Sequence, residues 1–488
     1  MKTRMSMSEL NPQNRHERSQ TKIIATLGPA SRDIETLRKM FLEGIDLCRI
    51  NFSHGNHKEH NEYSDNIKRL NSELKSHVSI LGDLQGPKIR LGMVQDEGLR
   101  VTAGDVIYIT NIPTKSGKDT ILVNYERFPV DVEPGDTVLL DDGKIKLLVE
   151  NTDKKEKVTT KVIFGGIILS RKGVNLPDTK ISIPGFTPKD KEDALFAIEN
   201  DFDWIALSFV RDDSDVVELR KIIESRGSSM KIIAKIEKPQ AVTNIDKIIE
   251  KTDAVMVARG DLGVEVDFDR VPVIQKQIVG KCLQAAKPVI IATQMMESMM
   301  DNFRPTRAEA NDVANAVLDG ADAVMLSGET AVGRYPIETI INMQRVIDAT
   351  EGKGYEIPHK IVIDPDSDSF VSDVLCSNAS EVVKTTGAKA MVLHTSTGLT
   401  SFNLSRFRPD SSIFVFTSNK KLRRQCSLIW GVRAFYCECF SDMEDFIGHA
   451  KSFLAQHKLV EPLDRILFLS SMPMSENENP NTMRLLEV

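Results

Sequence analysis

The chain has 488 residues, 41% hydrophobic and 27% charged, with a formal net charge of −7, which suits a soluble globular protein of several domains at about 100–250 residues each. That acidic balance excludes bulk nucleic-acid binding, and no apolar run approaches the roughly 18 residues needed to cross a bilayer. Residues 1–20 are polar and carry no apolar signal core, so a cytoplasmic address is expected, with Cys48, Cys282, Cys376, Cys426, Cys437 and Cys439 kept reduced as buried thiols.

From residue 21 onward, short aliphatic runs recur without alternation, as in parallel strands covered on both faces. They fall at 22–27, 47–52, 78–84, 204–210, 231–236, 254–258, 288–293 and 323–326. Amphipathic stretches separate them. Residues 33–43 place Ile34, Leu37, Met40 and Phe41 on one face, and Gly44 is the stop. Thr187-Pro188 predicts a cap with proline at the first helical position. Further helices are expected over 213–226, 239–251, 273–286, 307–318 and 336–349. Eight strands, each eventually followed by a helix, predict a closed (β/α)8 TIM barrel over 21–87 and 187–351; an open doubly wound sheet is the alternative.

The pattern breaks once, after the third strand. Turn signals at Asp96-Glu97-Gly98, Glu133-Pro134-Gly135-Asp136 and Asp141-Asp142-Gly143 mark residues 88–186 as an inserted all-β module. Residues 352–488, with strands near 390–394 and 412–417, predict a smaller C-terminal α/β domain.

In such barrels chemistry gathers at the C-terminal strand ends. Here those ends carry Arg49, Asn51, Ser53 and His54 on strand two and Asp83 on strand three. Strand five ends in Lys235 and Glu237, strand six in Arg259-Gly260-Asp261, strand seven in Thr293-Gln294 and strand eight in Ser327-Gly328-Glu329. Glu237 and Asp261 leave adjacent strands and suit Mg²⁺, which prefers carboxylate oxygens with water or substrate oxygens completing its octahedron. Ion pairing with Lys235 or Arg259 is the competing explanation. Arg49 and Lys235 supply positive charge for phosphate, and phosphoryl transfer needs chiefly positioning and charge neutralisation. No GxxxxGK[ST] loop is present, so a nucleotide would be held by other means. His54, His57 and His60, with Ser53 as a cap, read as an exposed first helical turn rather than a metal site. Residues 151–157 read as a solvated turn.

Several of these stretches together resemble the pyruvate kinase family. They are Lys22-Ile-Ile-Ala-Thr-Leu-Gly-Pro-Ala-Ser31, Arg49-Ile-Asn-Phe-Ser-His-Gly55, Gly86-Pro87, Met256-Val-Ala-Arg-Gly-Asp-Leu-Gly-Val-Glu265, Ala292-Thr-Gln-Met295, Arg304-Pro-Thr-Arg-Ala-Glu309 and Met325-Leu-Ser-Gly-Glu-Thr330. They span the whole barrel in order. The resemblance implies transfer of the phosphoryl group of phosphoenolpyruvate to ADP, giving pyruvate and ATP. It implies a divalent metal, Mg²⁺ or Mn²⁺, on Glu237 and Asp261. Lys235 would neutralise the phosphoryl group, Thr293 would face the enol carbon, and the N–H groups of Gly260 and Asp261 would receive the substrate carboxylate. Arg49, Asn51, His54, Arg90 and Lys189 match positions around phosphate or nucleotide. A water relayed by Thr293 and Ser327 is the expected proton source for the enolate.

The resemblance also implies a lid (88–186), a regulatory domain (352–488) and a homotetramer. Asn51, Ser53, Asp83 and Leu84 match the family's monovalent-cation positions. Lys88, in Asp83-Leu-Gln-Gly-Pro-Lys-Ile-Arg90-Leu91, matches the subgroup that needs no K⁺. His394-Thr395-Ser396-Thr397-Gly398-Leu399-Thr400 resembles the family's effector loop. Members activated by fructose 1,6-bisphosphate often add Trp and Arg clamps, and Ser441-Asp-Met-Glu-Asp-Phe446 offers neither, so a different phosphorylated effector, such as a monophosphate, is expected. Two rival functions are a Mg-dependent barrel lyase acting on pyruvate or phosphoenolpyruvate, and a non-catalytic phosphometabolite sensor.

Overall fold

The computed structural model describes residues 19–94, 97–113, 119–352, 360–438, 440, 442–471 and 480–488. Eight parallel strands close into a barrel: Lys22–Thr26, Leu47–Asn51, Ser79–Asp83, Trp204–Leu207, Lys231–Ile236, Ala254–Ala258, Val289–Ala292 and Ala323–Leu326. Closure is made by the first strand, which pairs with the eighth (Lys22↔Ala323) and with the second (Ile24↔Leu47). The open-sheet alternative is thereby set aside.

Alternation along each strand divides its side chains between two cores. Ile23 and Ala25 face the surrounding helices, whereas Ile24 joins Leu47, Leu81, Trp204, Ile233, Met256 and Ile290 inside the barrel. The interior is therefore filled with side chains and leaves no pore. Leu428 of the C-terminal domain belongs to the same inner cluster.

The helices begin and end where local chemistry requires. Asp33 accepts from Thr36 N to start Ile34–Glu43, which stops at Gly44 with φ 128°. Thr187 and Asp190 cap Pro188–Glu199 reciprocally. The expected helix over 239–251 is two helices, Pro239–Thr243 and Ile245–Lys251, because Asn244 breaks the first and donates its side-chain amide to Arg211 O. A short helix, Arg259–Glu265, starts at the end of strand six, so Gly260 and Asp261 lie in its first turn.

Between strands three and four the chain builds the lid. Six strands lie in the order Val174–Asn175, Thr137–Leu140, Ile145–Thr152, Lys157–Phe164, Val106–Thr110, Thr120–Leu122; Gly166–Ile168 pairs separately with Leu99–Val101. The lid has its own core, with Ile107, Val138, Leu147 and Val158 buried. Asp141, Asp142 and Gly143 all adopt positive φ, as their turn requires, while Asp96 of the first expected turn lies outside the described residues.

The C-terminal sheet runs Val432–Tyr436, Ser412–Thr417, Ala390–His394, Arg465–Ser470, Thr482–Glu487, with only the last strand antiparallel. Helices Phe370–Thr386 and Met443–Gln456 cover its two faces. Cys48, Cys282, Cys376 and Cys426 are buried free thiols and Cys437 is half-buried; Cys439 lies outside the described residues. Burial pushes the Cys376 and Cys426 thiols up to about 12. Among the described residues no helix is long and apolar enough to cross a membrane.

Candidate active site

Asp83 is the hub of the rim. Its carboxylate, buried at the end of strand three, accepts from Arg49 Nε at 2.7 Å and lies 3.3 Å from Lys235 Nζ. Burial alone would raise this carboxyl, but Lys235 and Arg49 outweigh it and hold it below the usual carboxylate range. Lys235 also lies 2.9 Å from Glu237 Oε1 and donates to Ser208 Oγ at 2.7 Å. Burial would strip its proton; Asp83 and Glu237 prevail and raise it, so the ammonium stays charged. Arg49 reaches Thr26 Oγ1 with Nη1 at 2.9 Å, which fixes the guanidinium while leaving further N–H groups for an anion.

Glu237 is held from both sides, by Lys235 on Oε1 and by the N–H of Phe209 on Oε2 at 2.7 Å. Burial raises its carboxyl; Lys235 opposes and Asp261 adds to the rise. Buried Glu237 and half-buried Asp261, whose charges repel, suit a divalent cation, which would relieve that repulsion. No group of three or more His, Cys, Asp or Glu poised for a metal occurs among the described residues. Two carboxylates on adjacent strand ends would leave the other positions of an octahedral ion to substrate and water oxygens. The competing ion pair is half present: Lys235 contacts Glu237, while Arg259 turns away to Asp312 at 2.6 Å and to the carbonyls of Thr293 and Gln294.

Thr293 adopts φ 69°, a costly conformation for a β-branched residue, and its hydroxyl donates to Ala292 O and accepts from Gly260 N at 2.7 Å. Gly260 N–H is thus engaged by Thr293, and a substrate carboxylate reaching it would displace that hydroxyl. Ser327 donates its N–H to Glu329 Oε2 at 2.7 Å. The same buried carboxylate accepts from Met296 N, tying the ends of strands seven and eight together.

Around this centre, Asn51 Oδ1 accepts from Ser53 N, and Lys189 Nζ donates to Phe52 O at 2.9 Å and to Asp193. Partial burial lowers the imidazole of His54, and the positive charges of Arg90, Lys88 and Arg49 act in the same direction, favouring the neutral ring. Arg90 points into the lid, donating to Arg171 O at 3.1 Å. Lys88 lines a cleft between lid and barrel with Asp261, Phe209 and Asp142, and no ion pair engages it among the described residues. Leu84 is buried, and its carbonyl accepts from Ser208 Oγ.

The histidine expectation needs correcting. Asn56, not Ser53, caps helix His57–Glu73. His60 is buried against Phe52, with Nε2 at 2.8 Å from His54 O, while His57 pairs with Asp193. Sequence reasoning also missed Thr26 and Ser208. Their signal was position alone, at or just past the C-terminal ends of strands one and four.

In the C-terminal domain, Gly398 (φ 83°) precedes helix Leu399–Ser405, and its N–H is already engaged by Thr395 Oγ1 at 2.9 Å. Thr397 Oγ1 accepts from Leu399 N, whereas Ser396 and Thr400 are half-buried. Ser441 of the clamp stretch lies outside the described residues.

Comparisons with known proteins agree with this architecture. A family model described as "Pyruvate kinase, barrel domain" matches residues 18–340, and one described as "Pyruvate kinase, alpha/beta domain" matches residues 373–486. A pyruvate kinase of Agrobacterium vitis is 40% identical over 471 residues, covering 96% of each chain. One from Geobacillus stearothermophilus is 38% identical over 95% of this chain and 80% of its own. The crystal structure of a pyruvate kinase from Cryptosporidium parvum superposes with a TM-score of 0.89 at 33% identity, covering 98% of both chains. The chain belongs to the pyruvate kinase family, the metal-dependent phosphotransferases that make pyruvate and ATP from phosphoenolpyruvate and ADP.

Proposed function

We propose that the Asp83-centred rim binds phosphoenolpyruvate and ADP and transfers the phosphoryl group between them, with Lys235, Arg49, Thr293 and Ser327 at the reacting atoms. The observation that carries this reading is the pairing of Lys235 with Asp83 and Glu237, which keeps a buried ammonium charged where phosphoryl charge must be neutralised. Arg49, braced by Asp83 and Thr26, presents its remaining N–H groups to the phosphate. Gly260, Asp261 and Thr293 receive the substrate's carboxylate and enol end. Asn51, His54, Arg90 and Lys189 flank the ADP phosphates, so that its terminal oxygen can attack the phosphorus in line. The enolate that leaves is protonated through a water positioned by Thr293 and Ser327.

Glu237 and Asp261 would hold Mg²⁺ or Mn²⁺, which when bound supplies charge neutralisation and a template for the substrate oxygens. Asn51, Ser53, Asp83 and Leu84 form the place where other members take K⁺, and Lys88 supplies that charge covalently. Residues 21–87 with 187–351 serve as the catalytic domain, 88–186 as its lid and 352–488 as a regulatory domain. Thr395, Ser396, Thr397, Gly398 and Thr400 form the loop for a phosphorylated effector, a role supported by the family resemblance. A cytoplasmic homotetramer completes the reading.

A coupled assay with phosphoenolpyruvate, ADP and Mg²⁺ tests the function. Pyruvate formed in proportion to ATP is expected. Pyruvate released without ATP would favour a lyase or phosphatase, and no turnover would favour the sensor.

A further inference from the structure

One buried cluster joins the lid to the barrel outside the groups assigned above. Asn175, at the end of lid strand Val174–Asn175, donates Nδ2 to Glu265 Oε1 at 2.7 Å. Lys238 Nζ donates to the same oxygen at 2.6 Å. Glu265 is 5% exposed and Lys238 8% exposed, and Glu265 Oε2 has no hydrogen-bond partner. Lys238 also lies 5.7 Å from the centroid of Phe209, the residue whose N–H holds Glu237.

The chain connectivity of this cluster is what gives it meaning. Lys238 directly follows Glu237. Glu265 ends helix Arg259–Glu265, one turn beyond Asp261. Each proposed metal carboxylate is thus anchored to one member of the Lys238–Glu265 ion pair, and the third member comes from the lid. A buried carboxylate with a single oxygen satisfied is expensive, and the Asn175 donor that lowers this cost is present only while the lid lies against the barrel. Gly143 of the lid faces the Val264 side chain of the same helix.

We propose that Asn175, Lys238 and Glu265 are positioning residues that couple lid closure to the placement of Glu237 and Asp261. This rests on the assignment of those two carboxylates to the metal. In the closed state the Asn175 amide completes the Glu265 shell, and the ion pair then draws strand five and the helix after strand six into one arrangement. With the lid open the pair loses that donor, and the two carboxylates lose their common brace.

The test compares Asn175→Ala, Glu265→Gln, Glu265→Ala and the double variant Asn175→Ala/Glu265→Ala. Loss of a hydrogen bond to a charged group corresponds to about 10-fold in apparent affinity. Because the competent closed state becomes rarer, Asn175→Ala should raise KM for phosphoenolpyruvate by about that factor while kcat changes less than about twofold. Glu265→Gln, which keeps an acceptor oxygen, should recover much of the loss seen in Glu265→Ala, and the double variant should be no worse than Glu265→Ala alone. Hydrogen exchange of helix Arg259–Glu265 in the substrate-free protein should quicken in Asn175→Ala with no change in melting temperature. Additive effects, an unchanged KM, or a fall in melting temperature without the KM change would overturn the coupling. Mn²⁺ binding followed by electron paramagnetic resonance separates the two readings. If Glu237→Gln leaves Mn²⁺ affinity unchanged, the metal assignment fails; if it weakens binding while Asn175→Ala alters neither KM nor exchange, only the coupling fails.

Discussion

Arg424 of the C-terminal domain donates its Nε to Asp203 at 2.8 Å, immediately before the fourth barrel strand. Asp203 also accepts from Ile80 N at 2.9 Å, and its partner's Nη2 reaches Asp201 at 2.7 Å. The contact lies at the N-terminal mouth of the barrel, opposite the rim that holds Asp83, Arg49 and Lys235. Burial pushes the Asp203 carboxyl up to about 6, with Arg424 and the Ile80 N–H pulling the other way. Burial would also lower Arg424, but Asp203 and Asp201 outweigh it and keep the guanidinium charged.

That carboxyl makes stability pH-dependent in a definite direction. The folded protein takes up the proton near pH 6, whereas the unfolded chain does so only near the ordinary value of 3.8. The ionised group therefore costs stability above about pH 6, and that cost is relieved as pH falls from 6 toward 4, by roughly 1–3 kcal/mol. Asp203→Asn should remove this contribution, so that the variant's melting temperature minus the wild type's falls as pH is lowered from 7 to 5. Parallel melting curves across that range, followed by calorimetry, would show that Asp203 does not titrate there.

Leu428 enters the inner barrel core from the C-terminal domain, fully buried in the same cluster as Trp204 and Leu81. Truncation leaves a cavity that a closed barrel cannot collapse. Leu428→Ala should destabilise by about 2–5 kcal/mol in denaturant unfolding while activity per folded molecule stays within about twofold. A loss under about 1 kcal/mol would mean that the neighbouring side chains refill the space.

The metal assignment predicts a folded but disabled enzyme. Glu237→Gln and Asp261→Asn keep side-chain shape and remove one charge each, so turnover at ordinary Mg²⁺ should fall by orders of magnitude with unchanged circular dichroism. Near-normal turnover in both variants would rule these carboxylates out.

Lys88 predicts independence from K⁺. Its ammonium lies on the lid–barrel cleft with Asp261 and has no ion-pair partner among the described residues, so its charge is available to anionic substrates. Turnover measured with only a bulky organic cation should rise little on adding K⁺. Lys88→Glu should instead create a strong K⁺ requirement. Marked K⁺ activation of the unmodified enzyme would show that Lys88 does not take the ion's place.

Much of the molecule was legible in the sequence because it rests on local chemistry. Unalternating aliphatic runs mark strands covered on both faces, and the Thr187-Pro188 start and Gly44 stop depend only on residues within one turn. The rim residues were legible as well, since a strand's end in a barrel has a fixed side. What those residues do to each other was not. Asp83 meets Lys235 across 152 positions of sequence, and Asn175 meets Glu265 across 90, so only closure of the barrel and docking of the lid bring them together. His60 shows the same division. Its spacing from His57 fixed its place on the helix, but Phe52 and the His54 carbonyl buried it, through contacts that a one-dimensional pattern does not contain. Charge states followed the tertiary structure for the same reason: a lysine's proton depends on the carboxylates packed around it, and for Lys235 those come from its own strand and from strand three.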